Sequence, residues 1–228
     1  MRSAPPLAGK RKTRPGPEAD LLDRFLRNGL PFEARTQPVV FKEPEMPTGF
    51  PDLVAVYPSQ RKFVLNSFRT ELTAQHLKLL YHFSTVRSSD LKSLSKKLSY
   101  SPAKIAMLVN GLLNSDLIYS KGERIYLRSL ENIFATKKIV SIEAKISKWQ
   151  DAIYQAIANT WFASHSYILL PDMKSFDLIN PRARAVGVGV LSFDGKKTKI
   201  LVPAKNLKLP GSYGSWMLNE WTLRHLFG

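Results

Sequence analysis

The sequence predicts an α/β fold interrupted by a second, helix-rich unit. Three observations predict it. Short apolar runs of strand length recur near residues 36–42, 52–57, 138–146 and 167–170, set off by proline, glycine or charged residues. An amphipathic stretch follows the third run at once and leads to the fourth. Between about residues 71 and 128 the pattern changes to three short helices and a hairpin.

Taken in order, residues 1–15 are rich in proline, lysine, arginine and small side chains, and read as a basic disordered tail. Pro17 opens a helix that runs to about Asn28 and stops at Gly29, with Leu21, Leu22, Phe25 and Leu26 on its apolar face. A strand over 36–42, a loop with Pro44, Pro47 and Gly49, and a strand over 52–57 follow. The helical segment holds a first helix over 73–83, carrying Leu77, Leu80 and Tyr81. A second is capped by Ser88 or Ser89 and carries Leu91, Leu94 and Leu98. The third opens at Ser101-Pro102 and buries Ile105, Leu108, Val109, Leu112 and Leu113. A hairpin over 117–127 turns at Lys121-Gly122.

The strand at 138–146 leads into a helix for which Ser147 and Gln150 have capping-box spacing. Trp149, Ala152, Ile153, Ala156, Ile157 and Trp161 mark its buried stripe, and Lys148, Asp151, Gln155 and Asn159 its polar one. A strand over 167–170, a hairpin over 185–202 turning at Asp194-Gly195, and a helix over 216–226 complete the chain. The expected organisation is a tail (1–15), a core in two parts (16–65 and 133–228, the latter with its hairpin and C-terminal helix), and an inserted domain (66–132).

The chain has 228 residues, enough for a sizeable core. Its 34 lysines and arginines outnumber 18 aspartates and glutamates, a formal net charge of +16. Such an excess usually meets a polyanion, and nucleic acid is the first candidate. No apolar run approaches the ~20 residues of a membrane span, so no membrane partner is expected. The N-terminal Lys10, Arg11, Lys12 and Arg14 are not followed by a signal core, and a cytoplasmic location is expected. The absence of cysteine excludes disulfides, thiolate metal sites and thiol catalysis. His76, His82, His165 and His225 show no ligand spacing.

Chemistry concentrates in two motifs about ninety residues apart. Pro51-Asp52 heads an apolar strand run, and Glu143-Ala144-Lys145 ends another. Alternation puts Glu143 and Lys145 on one strand face, with Ala144 turned away. Two carboxylates and an amine at strand ends would hold a hard divalent cation and stabilise charge on a phosphate. Read alone, Asp52 is equally a turn residue, and Glu143 with Lys145 a solvated strand face.

The order of elements with these motifs resembles the PD-(D/E)XK nuclease superfamily over residues 17–58 and 137–202. The resemblance implies a restriction-endonuclease-like core, a mixed central sheet flanked by helices. The long spacer between the motifs resembles a winged helix-turn-helix domain inserted between core strands, which is physically cheap if its ends lie close together. The resemblance further implies that Asp52, Glu143 and the Ala144 backbone carbonyl bind Mg²⁺ or Mn²⁺, with Glu18 a supplementary acid. Lys145 would orient the attacking water or neutralise the transition state. Gln155 would lie beside the site as a catalytic residue, although Asn159 stands where several branches place tyrosine. Glu18 also reads as an acid favouring a helix N-terminus.

In the inserted domain, Lys96, Lys97, Ser101, Lys104, Asn110, Lys121 and Arg124 are the candidate DNA-binding residues. The lysines would act on phosphates, Ser101 and Lys104 near base edges, and Asn110 on adenine or simply as a surface residue. The segment also reads as a protein-interaction module. The sequence thus points to a Mg²⁺-dependent endodeoxyribonuclease acting on duplex DNA. Three other readings stay open: a DNA-binding regulator with an inactive nuclease core, a ribonuclease, and the nuclease subunit of a larger transposition or restriction complex. Double-strand cleavage would call for a homodimer or repeated action.

Overall fold

The computed structural model describes residues 15–61, 63, 65–86 and 88–227. The expected basic tail lies outside them except for Pro15. In chain order the first elements are α1 (Pro17–Asn28), β1 (Val39–Lys42), β2 (Leu53–Pro58), α2 (Ser67–Thr70) and α3 (Ala74–Thr85). Next come α4 (Leu91–Leu98), α5 (Pro102–Asn114), β3 (Ile118–Lys121), β4 (Arg124–Leu127) and α6 (Leu130–Ile133). The rest are β5 (Thr136–Ala144), α7 (Trp149–Asn159), β6 (His165–Pro171), α8 (Ile179–Ala185), β7 (Gly189–Phe193), β8 (Thr198–Val202) and α9 (Tyr213–Phe227). The described chain divides into two units, residues 15–58 with 137–211, and residues 59–136 with 212–227.

The first unit is built on a mixed six-stranded sheet in the order β1-β2-β5-β6-β7-β8. β1 and β2 are antiparallel, β5, β6 and β7 run parallel, and β8 returns antiparallel on β7. Alternation along the strands gives the sheet two apolar faces. Tyr167 and Leu169 join Leu21, Leu22 and Phe25 of α1 on one face. Ile168 and Leu170 join Ala152, Ile153 and Ala156 of α7 and Ile179 and Ala183 of α8 on the other. Each fully buried leucine or phenylalanine contributes about 1.5–3 kcal/mol. Small residues bring α7 close. Ser141 Oγ donates to Ser166 Oγ at 2.9 Å, and Ser166 Oγ donates to the Ala156 carbonyl at 2.6 Å. At Gly189 a Cβ would stand 2.2 Å from the Tyr167 ring, so only glycine lets that ring lie over β7.

The second unit holds α2 to α6, the β3–β4 hairpin and α9, around Leu80, Phe83, Leu94, Ile105, Leu108, Leu112 and Trp216. The C-terminal helix, expected with the sheet, packs instead on α3 in this unit. Its polar residues explain why. Glu220 takes two hydrogen bonds from Arg69, both 2.8 Å, with both side chains buried. Asn219 Oδ1 accepts the backbone N–H groups of Ala135 and Thr136 at 2.8 and 3.1 Å. Partners so distant in sequence leave no periodic signal.

Other differences are local. α2, α6 and α8 were not expected, being only four to seven residues long. α4 is capped by Asp90, whose carboxylate accepts the Ser93 N–H at 2.9 Å. Ser89 is engaged elsewhere, exchanging backbone hydrogen bonds with Ile125. The Ser147–Gln150 capping box does not form, because α7 begins at Trp149 with no side-chain cap. Ile157 and Trp161, expected to be buried, are each 37% exposed. β5 ends at Ala144, leaving Lys145 just past the strand. Among the described residues no helix is long and apolar enough to cross a membrane.

Candidate active site

Asp52 sits immediately before β2, where that strand lies beside β5. Its Oδ2 accepts the backbone N–H of Ala144 at 2.8 Å, which fixes the carboxylate against the end of β5. Glu143, one residue back, is 3% exposed. Its Oε1 accepts one hydrogen bond, from Asn159 Nδ2 of α7, at 2.6 Å. Burial, and then the neighbouring Asp52 charge, push the Glu143 carboxyl up to about 8, against the lowering effects of Asn159 and Lys145. A hydrogen bond toward Asp52 also favours its protonated form. Asp52 is raised as well, by burial first, although the Ala144 N–H and Lys145 oppose this. Both shifts favour a proton held by the pair.

Lys145 follows the end of β5, and its charge bears on both carboxyls. Ala144 packs in the cluster around α1, and the Lys145 ammonium reaches Glu18 in the first turn of α1, at 3.3 Å. It also donates to the Ala144 carbonyl at 3.1 Å and stands 4.0 Å from Asp52 Oδ2. Only 15% of its side chain is exposed. Asp52, Glu143, Lys145 and Glu18 thus converge. Glu18 is both a first-turn acid of its helix and the partner of Lys145.

Gln155 is exposed, and among the described residues no hydrogen bond joins it to these groups. Asn159, one helical turn later, is the α7 residue that reaches Glu143. Expected on the polar stripe of α7, it is buried at the C-terminal end of the helix. A second residue was not foreseen. Glu43 follows β1 with a left-handed φ of 45°, and its N–H donates to the Asp52 carbonyl at 3.1 Å. Its charge helps raise Asp52, and its Oε2 is buried without a hydrogen-bond partner among the described residues. Only its place after the strand run could have flagged it.

The donor chemistry fits a hard divalent cation: carboxylate and carbonyl oxygens, two acids that repel each other, and one orphaned oxygen nearby. Among the described residues no three Asp, Glu, His or Cys side chains form a ready metal cage.

No family model matches the chain, and no curated protein matches it. Among solved structures, a protein of unknown function from Silicibacter pomeroyi (SPO1766) is similar at 20% identity and a TM-score of 0.29. That likeness covers 39% of this chain and 58% of that one.

The candidate DNA contacts of the second unit divide by role. Lys96 and Lys97 are exposed in the last turn of α4, and Asn110 is exposed on α5. Lys121 and Arg124 face each other across the β3–β4 turn, both exposed. Ser101 is engaged as the α5 cap, its Oγ accepting the Lys104 N–H at 3.3 Å. Lys104 is half-buried, near enough to His76 to help lower the pKa of that imidazole, after burial.

Proposed function

We propose that the chain is a metal-dependent endonuclease of the PD-(D/E)XK type that hydrolyses phosphodiester bonds in DNA. Its first unit is the restriction-endonuclease-like core. The second contains the inserted winged-helix domain, which holds duplex DNA through Lys96, Lys97, Lys104, Lys121 and Arg124. The observation that carries this reading is the Asp52–Glu143 pair at the end of β5, Glu143 buried and Asp52 half-buried beside it, with the Lys145 ammonium 4.0 Å from Asp52. A fold has no structural need to bury two adjacent carboxylates with so little compensation. The formal charge of +16 independently supports a polyanionic substrate.

Asp52, Glu143 and the Ala144 carbonyl would hold Mg²⁺ or Mn²⁺, and Glu43 offers a further oxygen. When bound, such a cation lowers the pKa of a water and draws charge from the phosphate. The protein's own groups do the rest. The Ala144 N–H holds Asp52, and Asn159 holds Glu143, so the two acids are in place before substrate arrives. In the reaction a water oxygen bonds to phosphorus, the bond to the leaving sugar oxygen breaks, and negative charge builds on the non-bridging oxygens. The Lys145 ammonium is positioned to stabilise that charge. Glu18 restrains the ammonium until substrate competes for it.

Supercoiled plasmid and labelled DNA and RNA duplexes, each with Mg²⁺, Mn²⁺ or EDTA, test the proposal. Metal-dependent cleavage of DNA that is lost in Glu143→Gln is the expected result. DNA binding without cleavage under any condition would instead support a regulator with an inactive core. Preference for RNA would support the ribonuclease reading.

A further inference from the structure

Far from the acidic pair along α1, the sheet-bearing unit gathers positive charge that the proposed chemistry does not use. Arg24 and Arg27 lie three residues apart on the exposed side of α1. The turn between β7 and β8 brings Lys196 and Lys197 against the end of that helix. Asn28 Nδ2 donates to the Lys196 carbonyl, which ties helix to turn. Between them lies an open cleft of about 470 Å³ lined by Arg24, Arg27, Asn28, Gly195 and Lys196. Lys197 lines an adjoining hollow of about 330 Å³.

Nearby carboxylates offset this charge only in part: Asp194 feels the charge of Lys197, and Asp20 and Asp23 precede Arg24 and Arg27 by one turn of α1. Among the described residues none of the four cations enters a salt bridge. Asp23 is already paired with Lys42 at 2.6 Å. Asp194 is turned to its own backbone, accepting the N–H groups of Lys196 and Lys197 at 2.8 and 2.7 Å. Like charges assembled in a cleft repel one another, and the favourable place of Arg27 in the last turn of α1 accounts for one of the four.

The topology places this cleft on the same rim as the acids. β5, β6 and β7 are parallel, so their carboxyl ends share one edge of the sheet. Lys145 follows β5 level with Ser192, two strand spacings or ~10 Å away across the sheet, and the Asp194 turn begins two residues further along. α1 runs between the two positions, with Glu18 at Lys145 and Asn28 at Lys196. Nine residues of helix separate Glu18 from Arg27, a rise of ~14 Å. On B-form DNA that is about four base steps of one strand, at ~3.4 Å each.

We infer that this cleft is a phosphate-backbone clamp, which grips the substrate strand a few nucleotides from the bond held at Asp52 and Glu143. The nucleic-acid identity of the ligand rests on the proposed function. The chemistry of the cleft, cationic and open-ended, suits a continuous polyanion rather than one small anion. It reads backbone and not sequence.

The test uses the full chain in EDTA, so that binding is read without cleavage. Fluorescence anisotropy of a labelled DNA duplex is followed across a salt series for wild type, Arg27→Ala/Lys196→Ala and Lys137→Ala. Lys137 is an exposed residue near the opposite end of β5. The double variant should bind at least tenfold more weakly. Its slope of log affinity against log salt should be shallower by ~2, as expected for two lost phosphate contacts at ~0.9 each. Lys137→Ala should match wild type. Wild-type affinity and slope in the double variant, with its circular dichroism unchanged, would overturn the clamp. So would no DNA binding by wild type. The nuclease reading fails separately: a wild type that binds through the clamp but never cuts leaves the clamp standing.

Discussion

Two glutamates of this chain are almost equally buried, Glu220 at 1% and Glu143 at 3% exposure, yet their surroundings differ in kind. Glu220 receives two N–H groups from Arg69 and one from Asn219, all at 2.8 Å. Its charge is matched and its oxygens are satisfied, as a structural ion pair requires. Glu143 receives a single N–H, from Asn159, and faces another carboxylate. The nearest ammonium is bound to Glu18, outside the pair. The first arrangement holds a C-terminal helix to its unit. The second sets two carboxyls side by side at the end of a strand, both raised above their ordinary values, where the proposed cation would sit.

The largest effect expected from this contrast is on activity. Lys145→Ala should lower metal-dependent cleavage by about 10²–10³-fold, the usual cost of losing one group that stabilises transition-state charge. Cleavage rates with saturating Mn²⁺ measure it. The equivalent damage to the structural pair should appear in stability instead. Glu220→Ala leaves the Arg69 guanidinium buried and unmatched, and should destabilise its unit by about 3–5 kcal/mol. Urea unfolding followed by tryptophan fluorescence should register that loss, while Glu143→Gln should be neutral or stabilising in the absence of metal.

A pH series sharpens the comparison further. Burial raises Glu143 from an ordinary 4.5 to about 8 in the fold. The folded chain therefore holds a proton that the unfolded chain has released. Metal-free stability should be greatest below about 4.5, fall as pH rises and be lost through about 8 at this site. Other groups add their own slopes, so the difference between wild type and Glu143→Gln is the quantity to follow. That difference should shrink when Mg²⁺ is added at high pH. A gap of constant size across the window would show that Glu143 titrates normally.

Smaller effects separate the residues around the pair. Asn159→Ala strips Glu143 of its N–H donor among the described residues and should cost about 1–3 kcal/mol, with a further rise of the Glu143 pKa. Glu43→Gln removes a charge that raises Asp52, and should shift the acidic limb of the cleavage profile to lower pH with little loss of rate. Gln155→Ala should change neither rate nor stability, since the side chain is exposed.

These residues also mark what the sequence could convey. The strand runs, the helix ended by Gly29 and the hairpin at Asp194-Gly195 were legible because period and turn chemistry are local. Asp52, Glu143 and Lys145 were legible because each stands at the end of an apolar run. Asn159 and Glu43 were not. One depends on where α7 meets β5, the other on how the chain bends after β1 at a left-handed residue. Placing α9 required the partnership of Arg69 with Glu220, a match across 151 residues that no window of sequence contains.

The most direct test of the uncompensated pair is calorimetric titration of the metal-free chain with Mn²⁺, above and below the Glu143 value of about 8. Wild type should bind with release of a proton, more tightly at the higher pH, and Asp52→Asn/Glu143→Gln should not bind. Equal binding by wild type and the double variant, or none by either, would contradict the account.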